Sequence, residues 1–149
     1  MSRLLRTLAR VAVCLALSLA VPAVAEDRLV LLVGAESRIT ALSSVDLHKL
    51  FLGLTVVVDG QRLHPLRNDS DDLMRRIFFQ NVVSMSESVY DRRMLALTLQ
   101  QGRAAPPVLH STREVLDALA ADQDAVSFAW AADAEHDSRI RVLRVLWGR

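Results

Sequence analysis

From residue 28 onward, the apolar positions of this chain fall into two kinds of segment. Residues 28–33 (Arg-Leu-Val-Leu-Leu-Val) are almost continuously apolar and stop at Gly34. A run that short with a glycine stop predicts a strand covered on both faces. Residues 125–130 (Ala-Val-Ser-Phe-Ala-Trp) predict a second buried strand, and residues 140–146 alternate like a last strand. Between them the spacing turns helical. Leu47, Leu50 and Phe51 share one helix face behind a cap at Ser43 or Ser44, with Gly53 as the stop. Residues 55–58 are mostly β-branched, and Asp59-Gly60 is a strong hairpin signal. The return strand is expected over 61–66, with Pro65 placing it at an edge or a strand end.

The middle is richer in helices. Ser70 is placed to cap a helix with Asp71 and Asp72 in its first turn and Leu73, Met74, Ile77, Phe78 and Val82 as its apolar stripe. A second helix starts at Ser84 or Ser86 and ends at Gly102. Pro106-Pro107 is an extended spacer. Ser111 and Glu114 form a capping box ahead of Val115, Leu116 and Leu119. Residues 133–139 are a polar connection. Strands alternating with helices predict a layered α/β domain over 26–149.

The first 25 residues follow a different pattern. Arg3, Arg6 and Arg10 precede a short apolar run from Val11, broken at Pro22 and closed by Ala23-Val24-Ala25. This is the pattern of a cleaved secretory signal peptide. The apolar stretch is shorter than the roughly 20 residues a membrane span needs. Val13 stands where lipoprotein processing at Cys14 wants a small residue. The expectation is therefore an exported periplasmic protein with no span left after cleavage.

The leader also changes the charge. The whole chain carries 18 basic and 17 acidic residues. Without its three arginines, 15 basic residues face all 17 acidic ones, a net −2. A nucleic-acid binder would be strongly and locally basic, so none is expected. Cys14 leaves with the leader, which excludes thiolate chemistry and cysteine-held metals from the remainder.

No catalytic constellation stands out. His48, His64, His110 and His136 are spread apart, there is no G-x-S-x-G elbow, and the serines fall where helices begin. The expectation is a protein that is not an enzyme. Asp133, Glu135, His136 and Asp137 read as a solvated loop rather than a metal site. There is no P-loop or dinucleotide motif, and no cofactor is expected. Asn68-Asp69-Ser70 matches a glycosylation pattern but reads as turn and cap chemistry.

One polar stretch invites a ligand. Arg67 ends a strand and Ser70 opens a helix whose first N–H groups lack internal partners, an arrangement suited to an anion. The first strand ends similarly, with Ser37, Arg38 and Thr40 after Gly34. Were the two strands neighbours in a parallel sheet, both loops would open at one carboxyl edge. Arg67, Ser70, Ser37 and Thr40 are then the candidate ligand-binding residues. Against this, Asp69, Asp71 and Asp72 repel an anion and suit a cation or a basic partner surface. An ordinary capped helix accounts for the same residues.

Three motifs in order carry a family resemblance. Residues 42–53 (Leu-Ser-Ser-Val-Asp-Leu-His-Lys-Leu-Phe-Leu-Gly) with Asp59-Gly60 resemble a small helix ending in I-F-x-G followed by a "dG" turn. Phe78-Phe79 through Gly102-Arg103 to Pro106-Pro107 is similar to an F…G-x-G-x-P-P stretch. Residues 111–119 followed by Ala125–Ala129 are similar to a helix and a G-A-I-G-Y strand. The family is that of the phosphate-type periplasmic solute-binding proteins, in particular its short stand-alone relatives. The resemblance implies a single periplasmic-binding-protein-like lobe with a mixed, mostly parallel sheet flanked by helices. It also implies capture of a small, phosphate-like oxyanion for an ABC transporter or a sensor. In the full-length family, two lobes close on the oxyanion, and an arginine followed by Ser-Gly-Thr holds phosphate. Arg67 and Ser70 match that arginine and serine with a one-residue difference in spacing, and Asp71 and Asp72 replace the glycine and threonine. The alternative is an interaction module without a ligand that docks on a periplasmic sensor or membrane complex.

Overall fold

The computed structural model describes residues 27–148. The predicted signal peptide and Cys14 lie outside them. In chain order the elements are β1 (Leu29–Gly34), α1 (Ser44–Phe51), β2 (Val57–Val58), β3 (Gln61–Arg62), β4 (His64–Pro65), β5 (Arg67–Asn68) and α2 (Asp72–Ile77). A π-helical turn, Phe78–Val82, extends α2. Then come α3 (Glu87–Gln101), β6 (Val108–Leu109), α4 (Thr112–Ala121), β7 (Ala125–Trp130), α5 (Ala131–Ala134) and β8 (Ile140–Trp147).

The main sheet has the order β4-β7-β1-β8, with β2-β3 and β5-β6 as separate two-stranded ribbons. All six residues of β1 are buried. Leu29, Leu31 and Val33 face one core together with Val126 and Phe128 of β7 and the side chains of α1, α2 and α3. Val30 and Leu32 face the other, with Val115 and Leu119 of α4 and Ala131 and Ala134 of α5. The strand's continuous apolar run thus reports helices on both sides of the sheet.

The two layers differ in thickness. The first is built on aromatic rings. Phe78 stacks on Phe128 at 5.1 Å and meets Phe51 edge-on at 5.2 Å, and Tyr90 closes the cluster at 5.6 Å from Phe79. The Tyr90 hydroxyl donates to Phe51 O at 2.8 Å. Burial pushes that hydroxyl up to about 12, while the nearby Arg67 charge pulls the other way. The second layer is thin. α4 lies so close to the end of β1 that a Cβ on Gly34 would overlap Leu119 O.

The α/β class holds, but the strand senses do not follow the mostly parallel expectation. β1 pairs antiparallel with both β7 and β8, and only β4 runs parallel to β7. A continuous apolar run records that both faces are covered. It does not record the direction of the neighbours, because antiparallel strands under two helical layers give the same pattern.

Local signals held more often. Ser43 caps α1 by accepting from Asp46 N at 3.0 Å. Asp59 and Gly60 both take positive φ, as a two-residue hairpin turn requires. Gly102 ends α3 in the left-handed conformation. Ser111 caps α4, with the Glu114 carboxylate reaching back to His110 N rather than to Ser111. Three details differ. Asp71, not Ser70, caps α2, its carboxylate accepting from Met74 N at 2.9 Å. The single return strand expected over 61–66 divides: β3 stays with β2, and β4 leaves it to join the sheet edge, where Pro65 needs no donor. The polar connection opens with the short helix α5.

Among the described residues no helix is long and apolar enough to cross a membrane. No group of three or more His, Cys, Asp or Glu side chains among them could hold a metal ion. Asp137 is engaged by Arg139, whose Nη2 lies 2.8 Å from Oδ2 and 3.0 Å from Asp117.

Two measurements follow from this packing. Gly34→Ala must displace α4 from the sheet and should lower stability by about 1–3 kcal/mol, read by chemical denaturation. Hydrogen bonds from Arg139 hold the Asp137 carboxyl below the usual carboxylate range. Burial works to raise Asp122, but hydrogen bonds from His64 and the Asp124 amide carry it below that range as well. A carboxyl depressed in the folded state contributes stability that is present above its unfolded pKa and is lost as pH falls through the folded one. Denaturation midpoints should therefore fall as pH drops below about 4, and Asp137→Asn with Asp122→Asn should flatten that acid limb.

Candidate functional site

The strand-to-helix turn predicted at Arg67–Ser70 is doubled. β5 and β6 lie parallel, with Arg67 N donating to Pro107 O and Asp69 N to Leu109 O, each at 2.8 Å. Each strand runs into a helix, β5 into α2 and β6 into α4, so the two helix starts come side by side. Ser70 Oγ lies 3.1 Å from Thr112 Oγ1 and donates to Asn68 Oδ1 at 2.7 Å. Asn68 is fully buried, and its Nδ2 donates to Phe128 O at 2.9 Å, which locks the turn to β7. The glycosylation-like triplet is thus a structural turn.

Arg67 points inward. Its side chain is 11% exposed, and its guanidinium carbon sits 5.6 Å from the Phe79 ring centre and 5.9 Å from that of Tyr90. Cation–π attraction of this kind favours Arg over aromatic faces. Asp69, 13% exposed, is its counter-ion, but the closest approach, Nη2 to Oδ2, is 3.7 Å. Arg67 Nε and Asp69 Oδ1 are buried and have no hydrogen-bond partner. Leaving such groups unmatched costs about 1–3 kcal/mol each, more when they are charged. An unsatisfied donor and an unsatisfied acceptor therefore stand within one small site.

Ser37 and Thr40 are not brought to it. β4 is parallel to β7 and β7 antiparallel to β1, so β1 and β4 run in opposite senses and their carboxyl ends open on opposite edges. The segment after Gly34 also turns along β8, where Arg141 Nη2 binds the carbonyls of Ser37 at 2.9 Å and Ile39 at 2.7 Å. β8 and β4 are at opposite margins of the sheet, roughly 14 Å apart at three strand spacings. Ser37 is buried, with its Oγ accepting from Ile39 N, whereas Thr40 is exposed. The shared-edge expectation is corrected by the antiparallel pairing.

Sequence reasoning missed Asp69 as the counter-ion of Arg67, Asn68 and Thr112 as partners of Ser70, and Phe79 and Tyr90 as the platform of Arg67. A signal for Thr112 was present. Residues 66–72 and 108–114 share one pattern: a short segment opening on an aliphatic residue, then Ser, Thr or Asp, then a helix. Nothing local links Tyr90 to Arg67.

No protein-family model matches the sequence, and no curated protein matches it. Solved structures do match in fold. An ABC-type phosphate transport receptor from Vibrio cholerae is similar over 80% of this chain and 46% of that one, with a TM-score of 0.56 and 17% identity. A phosphate ABC transporter substrate-binding protein with bound phosphate, from Clostridium perfringens, is similar over 80% and 45%, with a TM-score of 0.58 and 10% identity. PstS from Borrelia burgdorferi is similar over 80% and 47%, with a TM-score of 0.55 and 15% identity. The likeness to the phosphate-type periplasmic binding proteins holds at the level of the fold, and the chain spans just under half the length of these proteins.

The lock on the turn can be measured directly. Asn68→Ala leaves Phe128 O and the Ser70 amide without partners, and should cost about 1–3 kcal/mol in chemical denaturation.

Proposed function

We propose that this chain is an exported lobe of the periplasmic-binding-protein type that holds a small, protonated oxyanion, phosphate-like, at Arg67, Asp69 and Ser70. One observation carries the reading: the inward guanidinium and its neighbouring carboxylate retain an unmatched donor and an unmatched acceptor in a nearly dry site. A fully ionised oxyanion satisfies Arg67 but meets repulsion at Asp69. An oxyanion that keeps a proton satisfies both, accepting from the guanidinium and donating to Oδ1. Ser70 Oγ supplies a further polar group at the rim. The similarity in fold to phosphate receptors supports the ligand class, and the leader pattern supports export to the periplasm. There the lobe would serve an ABC transporter or a sensor. Ser37 and Thr40 take no part at this position.

A docking module is the second reading. It is favoured by α3, whose outer face leaves Leu95 58% and Leu99 76% exposed one turn apart.

Thermal unfolding with inorganic phosphate and with sulfate separates the two. Phosphate at 100 times its Kd should add about 2.7 kcal/mol of stability, whereas sulfate, unprotonated at neutral pH, should add little. Arg67→Ala should abolish the phosphate shift. Asp69→Asn, which replaces the acceptor charge with an amide, should admit sulfate. Absence of any anion-dependent shift in the parent chain, or an equal shift in Arg67→Ala, sinks the oxyanion reading and leaves the docking one.

A further inference from the structure

A concavity lined by none of Arg67, Asp69 and Ser70 begins at the neighbouring Leu66 and Pro107. It is a cleft of about 510 Å³ between the end of α1, the β3–β4 strands and the extended segment that follows α3. Leu54, Leu66, Pro65 and Pro107 contribute accessible apolar wall over a floor of buried Leu50 and Leu63, and Arg62, His64 and Arg103 contribute cationic or ionisable groups. None of its lining residues is Asp or Glu. Neither arginine forms an ion pair among the described residues. Arg103 spends one N–H on Gly53 O at 3.2 Å, which draws its guanidinium across the end of α1 and leaves its other donors for a ligand. His64 is turned to Asp122 through Nδ1 at 2.8 Å, so the nearby carboxylate is already engaged.

We infer that this cleft binds a small monocarboxylate with an apolar body. The volume suits a small molecule. Leucine and proline walls gain from covering methylenes, and the two arginines offer forked donors that match a carboxylate. An inorganic anion would leave the apolar wall wet, and an uncharged apolar molecule would leave both guanidiniums unpaired. The site uses none of the oxyanion residues proposed above, so either can fail without the other.

The test is titration of the chain with sodium octanoate at neutral pH, followed by amide chemical shifts. Saturable shifts are expected at Gly53, Leu54, Gly102 and Ala104. Octanol and acetate should each bind at least tenfold more weakly. Affinity should rise several-fold for each methylene added between butanoate and octanoate. The double variant Arg62→Gln/Arg103→Gln changes only exposed side chains. It should weaken octanoate at least tenfold while keeping any response to phosphate, and Arg67→Ala should keep octanoate binding. Equal binding of octanol and octanoate, shifts centred elsewhere, or unchanged affinity in the double variant would overturn the assignment.

Discussion

β1 is apolar on both faces, and most of the architecture answers that constraint. A strand carrying Leu29, Leu31 and Val33 on one side and Val30 and Leu32 on the other is stable only between two covering layers. The chain supplies them unequally. One face receives an aromatic cluster carried by α1, α2 with its π-turn, and α3. The other receives α4 and α5, whose alanines and the glycine at Gly34 allow close approach. The thick layer provides the rings on which Arg67 rests, so the candidate site is a by-product of how β1 is buried.

The pairing sense of the same strand decides which polar residues meet. With β1 antiparallel to β7, the loop after Gly34 is carried to the β8 margin, and arginines 141 and 144 fasten it there through the carbonyls of Ser37, Ile39 and Leu42. The parallel β4–β7 and β5–β6 pairs sit at the other margin and gather the starts of α2 and α4. Strand–turn–helix units can pool their N-terminal chemistry only where the strands are parallel neighbours, and here that holds for one pair of turns alone.

Within the pooled site, electrostatics and packing pull in different directions. Aromatic faces and the low-dielectric surroundings hold the guanidinium in place. The Asp69 carboxylate is close enough to balance its charge but not to satisfy its donors. The Arg67 Nε stays buried without a partner, whereas the donors of Arg139 are spent on two carboxylates near the surface. The contrast separates an inward, imperfectly paired arginine from a fully paired surface one.

Local rules settled much of this protein from its sequence alone. The buried strands β1 and β7, the caps at Ser43 and Ser111, the Asp59-Gly60 turn and the stop at Gly102 each depend on residues within a few positions of one another, where backbone preferences and capping act. The α/β class followed from their order. Tertiary structure alone decided strand direction, the transfer of capping from Ser70 to Asp71, and the inward turn of Arg67 onto Phe79 and Tyr90. Strand direction and the turn of Arg67 depend on contacts between residues 12 to 118 positions apart, and an apolar or polar letter carries no record of which distant neighbour will cover it.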